Sequence, residues 1–176
     1  MNQAFNTTLK TKFDAQTILI DKAISKLPKN VAGYVGANSD IVSKLTDQYR
    51  IKYTLPTITV DLNEKRVENG IDNRLNVIYY LGYIGDGDYF KYKPEKKLYW
   101  SLGENILFTE KNIEITVHTH ANVGEEITPF IMINLDNGII SIVKQIRNVL
   151  NQIGTEIDDF NYSLKEMIRE KITNRI

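Results

Sequence analysis

The sequence contains no cysteine, which removes disulfides, thiol catalysis and thiolate metal sites at once. It lacks an excess of either charge, since 22 basic residues balance 22 acidic ones. A strongly basic nucleic-acid binder is thereby excluded, although a local basic patch is not. No apolar run approaches the ~20 residues of a membrane helix. The opening residues, MNQAFNTTLK, lack the basic region and apolar core of a signal peptide, so a cytoplasmic location is expected. Metal-protease, phosphate-loop and nucleophile-elbow motifs are absent too. What remains is ordinary globular composition, 42% hydrophobic and 25% charged, over 176 residues. A chain of that length can bury roughly 70% of its unfolded surface and needs no staples.

Periodicity divides the chain into three parts. Residues 1–50 read as mainly helical. Leu9, Phe13, Ile20, Ile24 and Leu27 recur at helical spacing until Pro28 stops them. After the connection 29–38, Ser39 caps a short helix through Ile41, Leu45 and Tyr49. Residues 56–135 read as a sheet. Thr57 to Leu62 alternates, and 63–73 is a polar connection with room for a short strand. Arg74 to Ile84 is apolar on both faces, as a central strand is. Asp88 to Lys93, Leu98 to Leu102, Asn105 to Thr109 and Asn112 to His120 follow, and Thr128 to Leu135 reads as a last strand. Residues 138–176 are helical, with Ile139, Val143, Ile146, Leu150 and Ile153 as a buried stripe. Ser163 with Glu166 forms a capping box, which places a helix end near Phe160 and a second helix from Ser163 to Arg175. The expected fold is a single α+β domain. An antiparallel meander of about five to six strands packs against the N-terminal helix and the C-terminal helices.

The most distinctive stretch is Gly85 to Trp100, GDGDYFKYKPEKKLYW. Lys91, Lys93, Lys96 and Lys97 are interleaved there with Tyr89, Phe90, Tyr92, Tyr99 and Trp100. That mix can neutralise phosphates and stack bases. Alternation places Lys91 and Lys93 on one face and Phe90 and Tyr92 on the other. The same pattern describes an edge strand whose lysines deter pairing and whose rings fill a core. His118 and His120 form an H-x-H pair on one strand face, with Glu114 as a third potential metal ligand. The plainer alternative is the wet face of an antiparallel strand. The carboxylates Asp86, Asp88, Glu125 and Glu126 are too few and too scattered for a cation loop, and Gly-Asp-Gly-Asp reads as a turn.

Several of these stretches together resemble one uncharacterised bacterial family. Its turn-and-strand motif is similar to Gly85-Asp86-Gly87-Asp88-Tyr89-Phe90-Lys91-Tyr92-Lys93-Pro94. Its C-terminal pattern is similar to Phe160, Asn161, Ser163, Leu164, Arg169, Ile172 and Arg175, and its early segment resembles Ile41 to Tyr49. In that family the region precedes a restriction-endonuclease-like domain of the PD-(D/E)XK type. The present residues hold no Asp…Glu-x-Lys strand; Glu110-Lys111 and Glu170-Lys171 are adjacent pairs. They depart from the family after Pro94, where Glu95-Lys96-Lys97 replaces a Ser/Thr-rich stretch. The resemblance implies a non-catalytic recognition or regulatory module of a nuclease-associated, defence-related protein. The expected partners are nucleic acid, a protein or a second copy, without membrane or cofactor. A nucleotide or small-ligand sensor with a pocket lined by Tyr79, Tyr80 and Tyr83 is the alternative, and a metal-dependent enzyme on His118 and His120 the third.

Overall fold

The computed structural model describes residues 5–28, 40–96 and 105–174. The expected strand Leu98 to Leu102, the Ser39 cap, and Lys97, Tyr99, Trp100 and Arg175 lie outside them. The architecture is α+β. A two-residue strand β1 (Thr7–Thr8) leads into α1 (Leu9–Ser25), then α2 (Asp40–Tyr49). The sheet strands follow: β2 (Thr57–Ile58), β3 (Lys65–Asn69) and β4 (Arg74–Ile84), then β5 (Tyr92–Lys93), β6 (Ile106–Phe108) and β7 (Asn112–Asn122). A 45-residue helix, α3 (Pro129–Thr173), closes the chain. No helix among the described residues is long and apolar enough to cross a membrane.

β4 is the centre of the sheet because both its edges are occupied. β3 pairs with its first half and β2 with its end, while β7 runs antiparallel along the other edge. β6 then pairs with β7, so two hairpins, β3–β4 and β6–β7, are joined through their long strands. Val77, Tyr79 and Leu81 of β4 and Ile113 and Ile115 of β7 share the face toward α3, each at most 1% exposed. β1 and β5 form a separate parallel pair, with Thr8 opposite Lys93.

α3 begins where Thr128 accepts the amide of Ile131 and Pro129 occupies the first turn, a position that needs no amide donor. Its apolar residues then keep one phase for its whole length: Ile139, Val143, Ile146, Leu150, Ile153, Ile157, Leu164, Ile168 and Ile172, all buried. The first six pack on the sheet, and the last three join Ile20, Ile24, Val42 and Leu45 of α1 and α2 in a second cluster. Phe160 spans the junction and stacks on Phe13 of α1, with centroids 4.6 Å apart. Near that junction Asn161 bonds both sides of Ile51. Its Oδ1 accepts the amide at 2.8 Å and its Nδ2 donates to the carbonyl at 3.0 Å. The irregular segment after α2 thus pairs with a side chain where it has no strand to pair with. Gly154 is a notch in the same face, since a Cβ there would meet Leu55 at 3.0 Å.

Four expectations are corrected. Thr128 to Leu135 is the start of α3 rather than a strand, so the sheet ends at Asn122 and the helical part begins at Pro129. There is no break near Phe160 and no second helix from Ser163, because the stripe passes through both without a change of phase. Asp88 to Lys93 does not alternate: Gly87–Lys91 is a 3-10 turn and only Tyr92–Lys93 is extended. Of Thr57 to Leu62, only Thr57–Ile58 pairs as strand.

Replacing Asn161 by Ala leaves the amide and carbonyl of the buried Ile51 without partners. We expect a loss of about 2 kcal/mol in urea unfolding with little change in secondary structure. A variant as stable as the wild type would show that water replaces the clamp.

Candidate functional site

The lysine-aromatic segment folds as a strap across the start of α1. The Asp86 carboxylate accepts the amide of Asp88 at 3.0 Å and caps the 3-10 turn. Gly85 precedes it at φ +121°, where a Cβ would lie 2.7 Å from the Leu55 carbonyl, so only glycine fits. This turn sends Tyr89 and Phe90, 1% and 2% exposed, into the core. Phe90 packs there against Phe108, Tyr83 and Phe5. Burial, with the nearby Asp86 carboxylate, pushes the Tyr89 phenol up to about 12. Neither ring is available to a ligand. Tyr92 is half-buried beside Tyr89.

The lysines fare differently. Lys91 pairs with Asp88, which lowers the carboxyl and raises the ammonium, but both are exposed and such a pair adds little stability. Lys93 lies in β5, and Lys96 follows Glu95 in the stretch beyond Pro94. The amides of Glu95 and Lys96 donate to the buried Glu156 carboxylate of α3 at 2.8 and 3.1 Å, and Gln152 donates to it at 3.0 Å. The Glu95 carboxylate in turn accepts the amide of Lys10, in the first turn of α1, at 3.1 Å. Lys12 lies over the rings of Tyr89 and Tyr92, 4.7 and 5.2 Å from their centroids. Lys10 and Lys12 therefore join Lys93 and Lys96 at one place. Nothing in the local sequence points to them, because the β1–β5 pairing makes the neighbourhood. Among the described residues these four lysines form no ion pair. The first turn of α1 holds no acid of its own and Thr8 provides no side-chain cap, so the Glu95 carboxylate of the strap serves as the cap, through the Lys10 amide.

His118 and His120 are both exposed on the sheet face away from α3. His118 Nδ1 lies 2.7 Å from Oδ1 of the buried Asn76, a contact that requires the proton on Nδ1 and leaves Nε2 outward. The register shifts between Arg74 and Asn76, opposite Asn122 and His118. Thr119 fills this irregularity by donating to the Leu75 carbonyl at 2.7 Å. Glu114 pairs with Tyr80. It stands four strand residues, about 13 Å, from His118, too far to share an ion with it. Among the described residues no three His, Asp or Glu side chains converge on a metal position.

A polar group that the sequence did not reveal bridges sheet and helix. Tyr79, fully buried, donates to Asp136 Oδ1 at 2.7 Å, and Lys65 Nζ lies 2.9 Å from the same oxygen. Burial and the adjacent carboxylate push the Tyr79 phenol far above its ordinary value. Burial also works to raise Asp136. The Tyr79 hydroxyl and Lys65 ammonium outweigh it, and the carboxyl ends below its ordinary value. A phenol raised in this way is a poor proton donor at neutral pH, so the group braces α3 against β3 and β4. Asp136 falls on the inner face of α3, one turn after Met132, within an Asp-Asn-Gly sequence that by itself reads as a turn. Tyr79 and Tyr83 belong to the core packing, with Tyr83 donating to the Thr109 carbonyl. Tyr80 lies on the opposite face near Arg66, so these three tyrosines do not line one pocket.

The fold is α+β, and among the described residues no group of three or more His, Asp or Glu side chains is placed to hold a metal ion. No family model, curated protein or solved structure matches the chain.

The Asp136 contacts set a pH dependence. Its folded value lies below the unfolded one of about 3.9, so the stabilisation is fully present above that pH and fades as pH falls toward the folded value. Asp136→Asn should make the loss of stability below about pH 4 less steep than in the wild type. Equal acid limbs in denaturant titrations would contradict the brace.

Proposed function

We propose that this chain is a non-catalytic recognition module that binds nucleic acid through the lysines gathered where the strap crosses the start of α1. One observation carries the reading. Lys10 and Lys12 come together with Lys93 and Lys96, from a segment 85 residues away at its contact with α1, and none forms a close ion pair among the described residues, Lys12 acting on Asp88 only at longer range. Lysines gathered in this way repel one another, and a polyanion would offset that cost. The chain is neutral overall, so attraction would be local and strongly screened by salt. Because Tyr89 and Phe90 are core residues, contact falls to the lysine ammoniums and the backbone rather than to those rings.

The link to a bacterial, nuclease-associated defence protein rests on the resemblance of the motif segments. Several residues of those motifs have a role in the fold itself: Asp86 caps a turn, Phe90 fills the core, Phe160 stacks on Phe13 and Asn161 clamps Ile51. The separation of Tyr79 and Tyr83 from Tyr80 speaks against the sensor. The distance of Glu114 from His118 removes the third ligand considered for the enzyme.

Binding of a labelled single-stranded oligonucleotide of about 16 nucleotides, followed by anisotropy, tests this reading. Lys12→Glu/Lys93→Glu should weaken binding on the order of tenfold near 0.1 M salt and reduce the salt slope by about two. Lys91→Glu should matter less, since Asp88 already holds that ammonium. Unchanged affinity in the double variant would overturn the assignment, as would an absence of binding by the wild type at low salt.

A further inference from the structure

The first three turns of α3 turn an apolar stripe outward. Phe130, Ile133 and Ile140 are 73%, 59% and 50% exposed. With Asn137 and Lys144, also exposed, they recur at spacings of three and four, which places all five on one side of the helix. Single exposed apolar residues are ordinary, but three in register on one helix face are not.

We infer that this stripe is an isologous interface at which α3 pairs antiparallel with α3 of a second copy, centred on Asn137. The sequence of the stripe is self-complementary under that two-fold axis. Ile133 meets the partner's Ile140, and Ile140 meets the partner's Ile133. Phe130 meets the stem of the partner's Lys144, and the two Asn137 side chains face one another on the axis. The charges match in the same arrangement. Glu126 lies just ahead of the helix, and Lys144 and Arg147 lie on its fifth and sixth turns, all exposed. Antiparallel overlay sets the acidic end of each copy against the basic end of the other, and the two helix dipoles oppose. A net charge of zero adds no repulsion between copies. Three apolar side chains and a polar rim fall below the roughly 800 Å² per partner of a standard interface, so exchange between monomer and dimer is expected at micromolar concentration.

The cysteine-free sequence gives a direct test. Asn137→Cys introduces a single thiol on the axis, and mild oxidation should convert it to a disulfide-linked dimer. Asn151→Cys, on the same side of α3, would stand about 42 Å from its counterpart and should not cross-link. Sedimentation equilibrium of the wild-type chain from about 1 to about 200 µM should show the mass rising toward twice that of the chain. Ile133→Glu/Ile140→Glu should stay monomeric with an unchanged circular dichroism spectrum, because both side chains are exposed. A wild type that is monomeric throughout, a double variant that still dimerises, or equal cross-linking at both positions would overturn the inference. All of these measurements are made without nucleic acid, so their outcome is independent of the proposed binding function.

Discussion

The continuity of one buried stripe along α3 governs this structure. The helix is about 67 Å long, and neither of the two apolar clusters closes without it. Residues Ile139 to Ile157 cover the sheet, and Leu164 to Ile172 cover α1 and α2. A bend between them would uncouple the two halves, since Phe160 and Asn161 make their contacts to Phe13 and Ile51 only when both halves share one phase. Packing of the amphipathic face, rather than intrinsic propensity, is what carries the helix through Gly138 and Gly154.

Around that spine, irregular backbone is held by polar side chains of α3. Asn161 clamps Ile51, Glu156 receives the amides of Glu95 and Lys96, and Arg147 donates to the Ile58 carbonyl at 2.8 Å. Asp136 performs a similar task for Tyr79 and Lys65. The groups best equipped for chemistry are thereby committed to structure, a charged or amide side chain being costly to bury unless it is satisfied. Among the described residues, the lysine ammoniums around the strap and the apolar side chains at the start of α3 remain exposed. Both are the material of binding surfaces.

Much of this architecture was legible in the sequence. The α+β class, the first two helices, the long strand Arg74–Ile84, the strand from Asn112 as far as His120 (it runs on to Asn122) and the hydrophobic phase of α3 all follow from periodicity. The losses have specific causes. Thr128-Pro129 is a helix start, but the apolar run after it, FIMINL, has no helical or strand period of its own, and its apolar composition alone points to a strand. Asp136-Asn137-Gly138 reads as a turn only until Asp136 is given a buried partner. The 3-10 turn at Gly87–Lys91 depends on the Asp86 cap, and alternation could not foresee it. Lys10 and Lys12 were beyond local reading, because a two-residue parallel pairing with β5 brings them to the strap.

Amide hydrogen exchange along α3 tests the central claim most directly. If one stripe holds the helix from sheet to helical cluster, amides from Ile139 to Ile168 should form a single protected block, with 154–163 as slow as the flanking turns. Rapid exchange confined to 154–163, with protected segments on either side, would mean two helices and would contradict the account.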